Sequence, residues 1–500
     1  WYMGSISASE AMPLPLGSAM EPKPTARPPE TQPEPQAQPP TPPIAPRASG
    51  GGLLHILGLG FGLAGAVGGS IGAGILRTPG LVAAQLGSAP LILLAWLVGG
   101  LYALCGAFAV AELGAALPRA GGWTVYARRA LGDRAGFAVG WIDWLGHCAG
   151  LAWVAITIGE FARGLVPALP PGGKAVALLT LVGFALLQRL GLRAGSLSQQ
   201  ILSLLKAVAF LALIGACLLV APPAASTPLA AAAGGAGVAS LAMLNNTPLA
   251  LAAAGVFALQ AVITTYDGWQ SPIYFAEEFT APATDLPRSL IGGVVAVTGL
   301  YLLMNVALLK VLPLEAMATS TLPLADAAAR LFGPFSAQLI TALALLSSIG
   351  LVNTVIMCAP RILFGLSRDG LFLPLFARVN AGGTPDAALL LTTAVTATLI
   401  ACGDFKVLLG VSVFFYVLLY FTGITSLFVL RWREPELERP VKAWGYPFSA
   451  AVVWLGSLAF LISAAIGDTT NSLIAAGLIT LSLPAQLLSR RMGSPDCESG

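Results

Sequence analysis

Charge is the scarcest commodity in this chain. Of 500 residues only 10% are Asp, Glu, Lys or Arg, against 56% hydrophobic residues and a mean hydropathy of +0.81. A soluble domain carries about a quarter charged residues on its surface, so a soluble globular class is excluded and a polytopic membrane protein is implied. Histidine is nearly missing, with only His55 and His147, which removes most metalloenzyme chemistry. The six cysteines, Cys105, Cys148, Cys217, Cys358, Cys402 and Cys497, contain no CxxC pair. Five of them lie in apolar runs, where they read as small hydrophobes. Neither a disulfide framework nor a metal site is supported, and no cofactor is implied. A nucleophile with its base and a paired-carboxylate motif are also lacking, which excludes an enzyme.

What the chain does have is proline, glycine and long apolar runs. Residues 1–52 are dense in proline, without an apolar period, and read as a disordered or extended tail. No positively charged segment followed by an apolar core and a cleavage site occurs there, so a cleaved signal peptide is not expected. Trp1 and Tyr2 precede Met3, so the native start is open. From Leu53 onward, runs of the roughly 20 residues needed to cross a bilayer follow one another at 53–84, 90–116, 136–164, 174–190, 196–221, 249–279, 287–311, 335–364, 386–403, 406–431, 448–466 and 470–489. With the N-terminus placed in the cytoplasm, nineteen of the 26 Lys and Arg fall in cytoplasmic segments, five in outer ones and two, Arg77 and Lys206, within spans. The positive-inside rule therefore puts both termini in the cytoplasm.

Two of these spans are interrupted. In the first, GAVGGSIGAGILRTPG (Gly65 to Gly80) breaks an apolar helix pattern with Gly68, Gly69, Ser70, Gly72, Ala73 and Gly74. Each such glycine costs about 1 kcal/mol in a helix interior. Freed backbone groups survive in a membrane only where they line a cavity or are covered by protein. Close helix packing through small residues is the alternative use of such glycines. In the sixth, the pattern stops at Thr264, Thr265, Tyr266, Asp267, Gly268, Trp269 and Gln270, with Pro272 just beyond. Breaks in spans one and six are what two five-helix halves of inverted topology would show, and the pair is more specific than either break alone.

Five blocks, in order, carry a family resemblance: GAGILRTPG (72–80), AELGAALPRAGGWTVYARRALG (111–132), the YDGW of span six with FAEEFTAPATDLPRSL (275–290), PRILFGLSRDGLFLP (360–374) and RWREPELERPVKAWGYP (431–447). Together these resemble the amino acid, polyamine and organocation (APC) superfamily, and within it the amino acid permeases and L-type exchangers, over about residues 53–490. The resemblance implies an all-α LeuT-like fold of 12 transmembrane helices. In it, 53–221 and 249–431 form two inverted repeats of five helices, with helices 1 and 6 discontinuous. A cytoplasmic tail (1–52), an extracellular loop (222–248), two further helices with their preceding loop (432–489) and a second tail (490–500) complete the organisation. It implies a secondary transporter in the plasma membrane that moves amino acids by alternating access, with helices 1, 2, 6 and 7 rocking against 3, 4, 8 and 9. A cationic amine or polyamine transporter, or an amino acid sensor that does not transport, is the alternative.

The chemistry of helix ends supplies a site. A half-helix beginning near Ala73 and Gly74 presents free N–H groups and partial positive charge to a carboxylate. A half-helix ending near Thr264 and Thr265 presents carbonyls to an ammonium group. The substrate site expected is therefore Ser70, Ile71, Gly72, Ala73 and Gly74 with Thr264, Thr265, Tyr266 and Asp267. Relatives place a bulky aromatic gate where this chain has Thr264, so Tyr266 or Trp269 is expected to serve instead. Asp267 reads as a binder of a cationic amine, a proton carrier or a helix cap, and His147 as substrate-facing or as a core histidine. Lys206, deep in the fifth span with no acidic neighbour in sequence, matches the lysine that some relatives hold where others bind sodium. The resemblance thus implies sodium independence, with proton symport or exchange, and partners in Ser347, Ser348 and Asn353. Snorkelling to the interface is the alternative. Glu277 and Glu278 are candidates for pairing with Arg128 and Arg129 across a cytoplasmic loop, and Asn305, Arg361, Arg368 and Asp369 for fixing helix ends. The cysteine through which relatives bind a heavy chain is absent from the loop after span three (164–174), so no disulfide-linked partner is expected.

Overall fold

In a bilayer the apolar face of a helix turns outward, and the fifth apolar run shows this residue by residue. Gln199, Ser203, Lys206 and Phe210, spaced three or four apart, are buried, whereas Leu197, Ile201, Leu204, Val208 and Leu211 are exposed. The polar stripe thus faces the protein, the inverse of a soluble amphipathic helix.

The computed structural model describes residues 52–72, 74–169, 173–219, 248–333 and 335–493. The expectations for the proline-rich tail, for Ala73, for the loop after the fifth run and for the last residues of the chain lie outside these. The described residues are helical almost throughout. In order the helices are α1 (Leu59–Ser70), α2 (Gly74–Leu86), α3 (Ala89–Ala116), α4 (Trp123–Leu131), α5 (Asp133–Leu165), α6 (Lys174–Arg189), α7 (Leu192–Leu219) and α8 (Pro248–Tyr266). There follow a 3₁₀ segment (Ser271–Glu278), α9 (Pro282–Val311), α10 (Leu314–Thr319), α11 (Pro323–Phe332) and α12 (Ser336–Arg368). The chain ends with α13 (Asp386–Cys402), α14 (Phe405–Arg433), α15 (Phe448–Gly467), α16 (Thr469–Thr480) and α17 (Ser482–Gly493).

Among the described residues each of the apolar runs contains an α-helix. Among the described residues eight helices are long and apolar enough to cross a membrane, or nine if the pair α1 and α2, bent by 48°, is one span. At 16 and 17 residues, α6 and α13 fall short of that length. Three elements were not expected. The Arg128–Arg129 segment, read as loop, is the amphipathic helix α4, which buries Trp123, Thr124, Tyr126 and Ala127. The short helices α10 and α11 occupy the connection between α9 and α12.

Packing separates two groups. The broken helix α1, α2 joins α3, α8 and α9, with α3 against α9 the most extensive of these contacts; α5 packs on α12, with α6 and α13 alongside. At the end of the molecule that carries α4, the segment before α1 pairs with the end of the 3₁₀ segment and the chain just after it, through Leu57 N–H to Glu278 O at 2.9 Å and Thr280 N–H to Leu57 O at 2.8 Å. Phe61 packs edge-on to Phe275, with ring centroids 5.0 Å apart.

Two buried carboxylates are matched by arginines. Arg361 donates to Glu278 through Nε at 2.5 Å and Nη2 at 2.9 Å, with its guanidinium 4.4 Å from the Phe275 ring centroid. Glu112, from the second motif block, accepts from Arg431 at 2.7 and 2.6 Å, lies 3.1 Å from Arg439 Nε and accepts the Ala443 N–H at 2.7 Å. The pairs expected from sequence are not the pairs formed: Glu277 meets Arg368 and Glu278 meets Arg361, whereas Arg128 meets Asp133 and Asp369 and Arg129 meets Glu434. Helix α4 turns its two arginines toward the start of α5 and the end of α14, out of reach of the glutamates.

Removing one partner of a buried ion pair strands the other. Glu278→Ala is expected to cost about 3–5 kcal/mol, read as a lower unfolding temperature in detergent, and Glu278→Ala with Arg361→Met to recover part of it. An unchanged temperature for the single variant would remove this pair from the account of stability.

Candidate functional site

The two helix breaks touch each other. Helix α1 ends at Ser70, after which Ile71 turns to φ −77°, ψ 85°. Helix α8 ends at Tyr266, and the chain turns through Gly268 at φ +107°. A Cβ at Gly69 would run into the Gly268 carbonyl and Ser271 Oγ, and one at Gly268 into the Gly69 carbonyl. Only glycine allows the crossing at these two points. From α9, the Tyr301 hydroxyl lies 2.8 Å from Ser70 O and 3.2 Å from Thr265 O, joining the ends of both half-helices.

Behind the first break sits Lys206. Its ammonium is fully buried and donates to Gly68 O at 2.8 Å, Ile71 O at 3.1 Å and Ser347 O at 3.4 Å. Ser347 Oγ adds a bond of 2.7 Å to Ile71 O. Three donors thus meet three acceptors, two of them carbonyls that the broken helix leaves without a partner. Snorkelling is excluded by this burial. Of the other expected partners, Ser348 bonds to Ala344 O in its own helix, and Asn353 bonds to Gln188, Ser198 and Gln199. Asn353 lies well over a turn along α12 from Ser347, too far to share its contact.

In front of the breaks lies a cavity of about 380 Å³, large enough for a small-molecule ligand. Its wall includes Gly69, Ser70, Gly72 and Gly74 from the first break and Thr264, Thr265, Asp267 and Gly268 from the second. A helix leaves its first N–H groups and its last carbonyls without partners inside the helix, and here these are the first turn of α2 and the last turn of α8, of which Thr265 O meets the Tyr301 hydroxyl. Thr78 Oγ1 and Thr265 Oγ1, 2.8 Å apart, tie the two turns together. Asp267 Oδ1 accepts from Tyr420 at 2.5 Å, with Gln270 Nε2 at 3.4 Å. Apolar wall is supplied by Val154, Leu351, Val355, Leu409 and Val413.

Several expected residues stand elsewhere. The Ile71 side chain is in the core and its carbonyl is engaged by Lys206 and Ser347. Tyr266 is buried against Trp96 and Tyr301 and donates to Trp96 O at 2.9 Å, and Trp269 stacks on Tyr420. Neither is on the wall of this cavity; both line an apolar side pocket between α3, α8, α14 and α15. The aromatics that face the cavity are Trp153, Tyr274 and Tyr416. His147 is on the wall as well, its Nδ1 2.8 Å from Asp143 O and 3.1 Å from Asp143 Oδ1. Asp143 itself, not singled out by its sequence, is fully buried and accepts from Tyr274 at 2.9 Å. The signal that would have found it is an acidic residue four before a histidine inside an apolar run, one helical turn away on the same face.

Residues 54–483 match the amino acid permease family. The chain is similar to the serine/threonine exchanger SteT of Bacillus subtilis, 26% identical over 431 residues that cover 84% of this chain and 93% of the relative. It is 29% identical to the human Asc-type amino acid transporter 1, over 79% of this chain and 75% of that one. To the mouse large neutral amino acids transporter small subunit 2 it is 28% identical, over 80% and 75%. With a family match across most of its length, and with two touching helix breaks facing one cavity, the chain belongs to the amino acid permease family.

Proposed function

We propose that the protein carries neutral amino acids across the plasma membrane by alternating access, without sodium, by proton symport or by exchange. The observation that supports this most directly is the meeting of a helix N-terminus at Gly74 and a helix C-terminus at Thr264 and Thr265 in one cavity. Substrate carboxylate and ammonium differ by one carbon, and the two helix ends offer opposite partial charges at that scale. On this reading Ser70, Gly72, Ala73 and Gly74 hold the carboxylate and Thr264 and Thr265 the ammonium. Val154, Leu351 and Val355 face the side chain, which favours a neutral substrate. A polyamine would need Asp267 free, whereas its carboxylate is engaged by Tyr420 and Gln270.

The architecture we infer is of 12 spans. The runs at 53–221 and 249–431 are inverted repeats with α1, α2 and α8 discontinuous at the site, the loop 222–248 is extracellular, and 432–489 adds two helices. Both tails, 1–52 and 490–500, are cytoplasmic. Grouping of α1, α2, α3, α8 and α9 apart from α5, α6, α12 and α13 supports a bundle that rocks on a scaffold. The Lys206 ammonium occupies the space where a coupling cation would sit, fixed by the first break and α12. With no cysteine in the loop 164–174, the chain works without a disulfide-linked heavy chain.

The test is uptake of a panel of radiolabelled amino acids into proteoliposomes in sodium-free buffer, with and without internal amino acid. Saturable uptake of neutral amino acids, unchanged by added sodium, is expected; binding without flux would turn the reading to a sensor. Lys206→Ala leaves the Gly68 carbonyl unpaired and Ile71 O with only the Ser347 hydroxyl, and is expected to weaken substrate affinity about tenfold or more. Gly69→Ala is expected to abolish uptake in a monodisperse protein, because its methyl collides with the Gly268 carbonyl. Gly65→Ala, whose methyl would meet only Pro272 at an ordinary 3.8 Å, is expected to transport. Equal flux in Gly69→Ala and Gly65→Ala would refute the crossing as a requirement.

A further inference from the structure

Asp143 poses a problem of charge that the site described above does not solve. Its side chain is fully buried in the first half of α5, and among the described residues no lysine or arginine forms an ion pair with it. Oδ1 accepts from the Tyr274 hydroxyl at 2.9 Å and lies 3.1 Å from His147 Nδ1, whereas Oδ2 has no partner among the described residues. An isolated carboxylate in such surroundings is too costly to persist as an anion. Either Asp143 holds a proton beside a neutral imidazole, or His147 holds it beside an anionic carboxylate. Both states contain the same single proton, and losing it would strand a negative charge.

The pair also has a route to the cavity. With His147 Nδ1 held by Asp143, the other ring nitrogen, Nε2, is the one left for the cavity that the ring borders. The ring stands edge-on to Tyr274 and to Tyr416, at 4.9 and 5.6 Å between centroids. The groups around the pair are Tyr274 from the 3₁₀ segment, Tyr416 from α14, Cys358 from α12, Cys148 on α5 itself and Asp267 at the second break. Beyond Cys358, Arg361 and Glu278 are paired with each other. Lys206, by contrast, has all three of its protons donated to carbonyls and does not border the cavity.

We propose that Asp143 and His147 together form a site for one exchangeable proton, loaded from the cavity through His147 Nε2 and carried across the membrane with the substrate. The inference rests on the transporter reading and names its coupling ion. Asp143 and His147 belong to α5 in the scaffold, whereas Tyr274 follows the second break in the moving bundle. Opening of the α4 end draws the Tyr274 hydroxyl off Asp143 Oδ1 and lets water reach the pair, which releases its proton to that side. One proton enters, one leaves, and no other bond is made or broken. Tyr274 is a positioning residue in this scheme.

The experiment uses the full chain in proteoliposomes, with a mixture of the twenty radiolabelled amino acids as probe and pyranine inside to report proton entry. Each variant is normalised to its own exchange flux against internal amino acids. A gradient of one pH unit, alkaline inside, is expected to raise wild-type uptake about tenfold at one proton per substrate, with a matching pyranine signal. Asp143→Asn and His147→Gln are expected to lose both responses, and two variants guard against one failing to fold. Retention of the response in Asp143→Asn, or its loss in Asp267→Asn instead, would overturn the proposal. Wild-type exchange without any response to the gradient would overturn it while leaving the transporter reading intact. No flux of any amino acid in the wild type would remove that reading and this one together.

Discussion

A backbone that leaves the helix inside a membrane must find partners for its polar groups, and the ammonium of Lys206 meets that demand for the first break. Without it, Gly68 O would face a low-dielectric interior unpaired, at about 1–3 kcal/mol for a stranded acceptor, and Ile71 O would keep only the Ser347 hydroxyl. The rest of the site inherits its geometry from this contact. Ser347 comes to Ile71 O because α12 packs beside α7, and the crossing of Gly69 with Gly268 is possible because α1 is held at its last turn. A single positive charge on α7 thus fixes where a helix may end on α1.

The two ends of the molecule are built differently. At the α4 end, the pairing of Leu57 with Glu278 and Thr280, the Phe61–Phe275 contact and the Arg361–Glu278 pair close the chain around the start of α1. On the other side of the breaks, Gly74 and Thr264 are exposed. Closure on one side and exposure on the other is the arrangement that an alternating-access carrier has when it opens to one side.

The helices were legible in the sequence because the bilayer imposes length and apolarity on each of them, so the long runs translate directly into α3, α5, α7, α9, α12, α14 and α15. What was not legible follows from the same cause. Helix α4 is short and amphipathic, and its arginines read as loop until Trp123 and Tyr126 are seen to be buried. Glu112 and Arg431 meet across 319 positions of chain, and nothing local marks either as the other's partner. Both breaks could be found from glycine and polar density, since these are backbone properties. Which side chains face the cavity depends on helix rotation, so Tyr416 and Tyr274 were missed while Tyr266 and Trp269 were taken for wall residues. The partners of Lys206 were overestimated for a similar reason: they are backbone oxygens, which a sequence does not display.

The Tyr301 hydroxyl carries a mechanical consequence. By resting on Ser70 O and Thr265 O at once, it clamps the stumps of two helices that belong to different halves of the chain. A ligand that pushes on one stump therefore loads the other through a phenol, without any strut of its own between them. A displacement of either stump is thus felt by the other through a shared contact set in α9, at the strength of a hydrogen bond, about 1 kcal/mol.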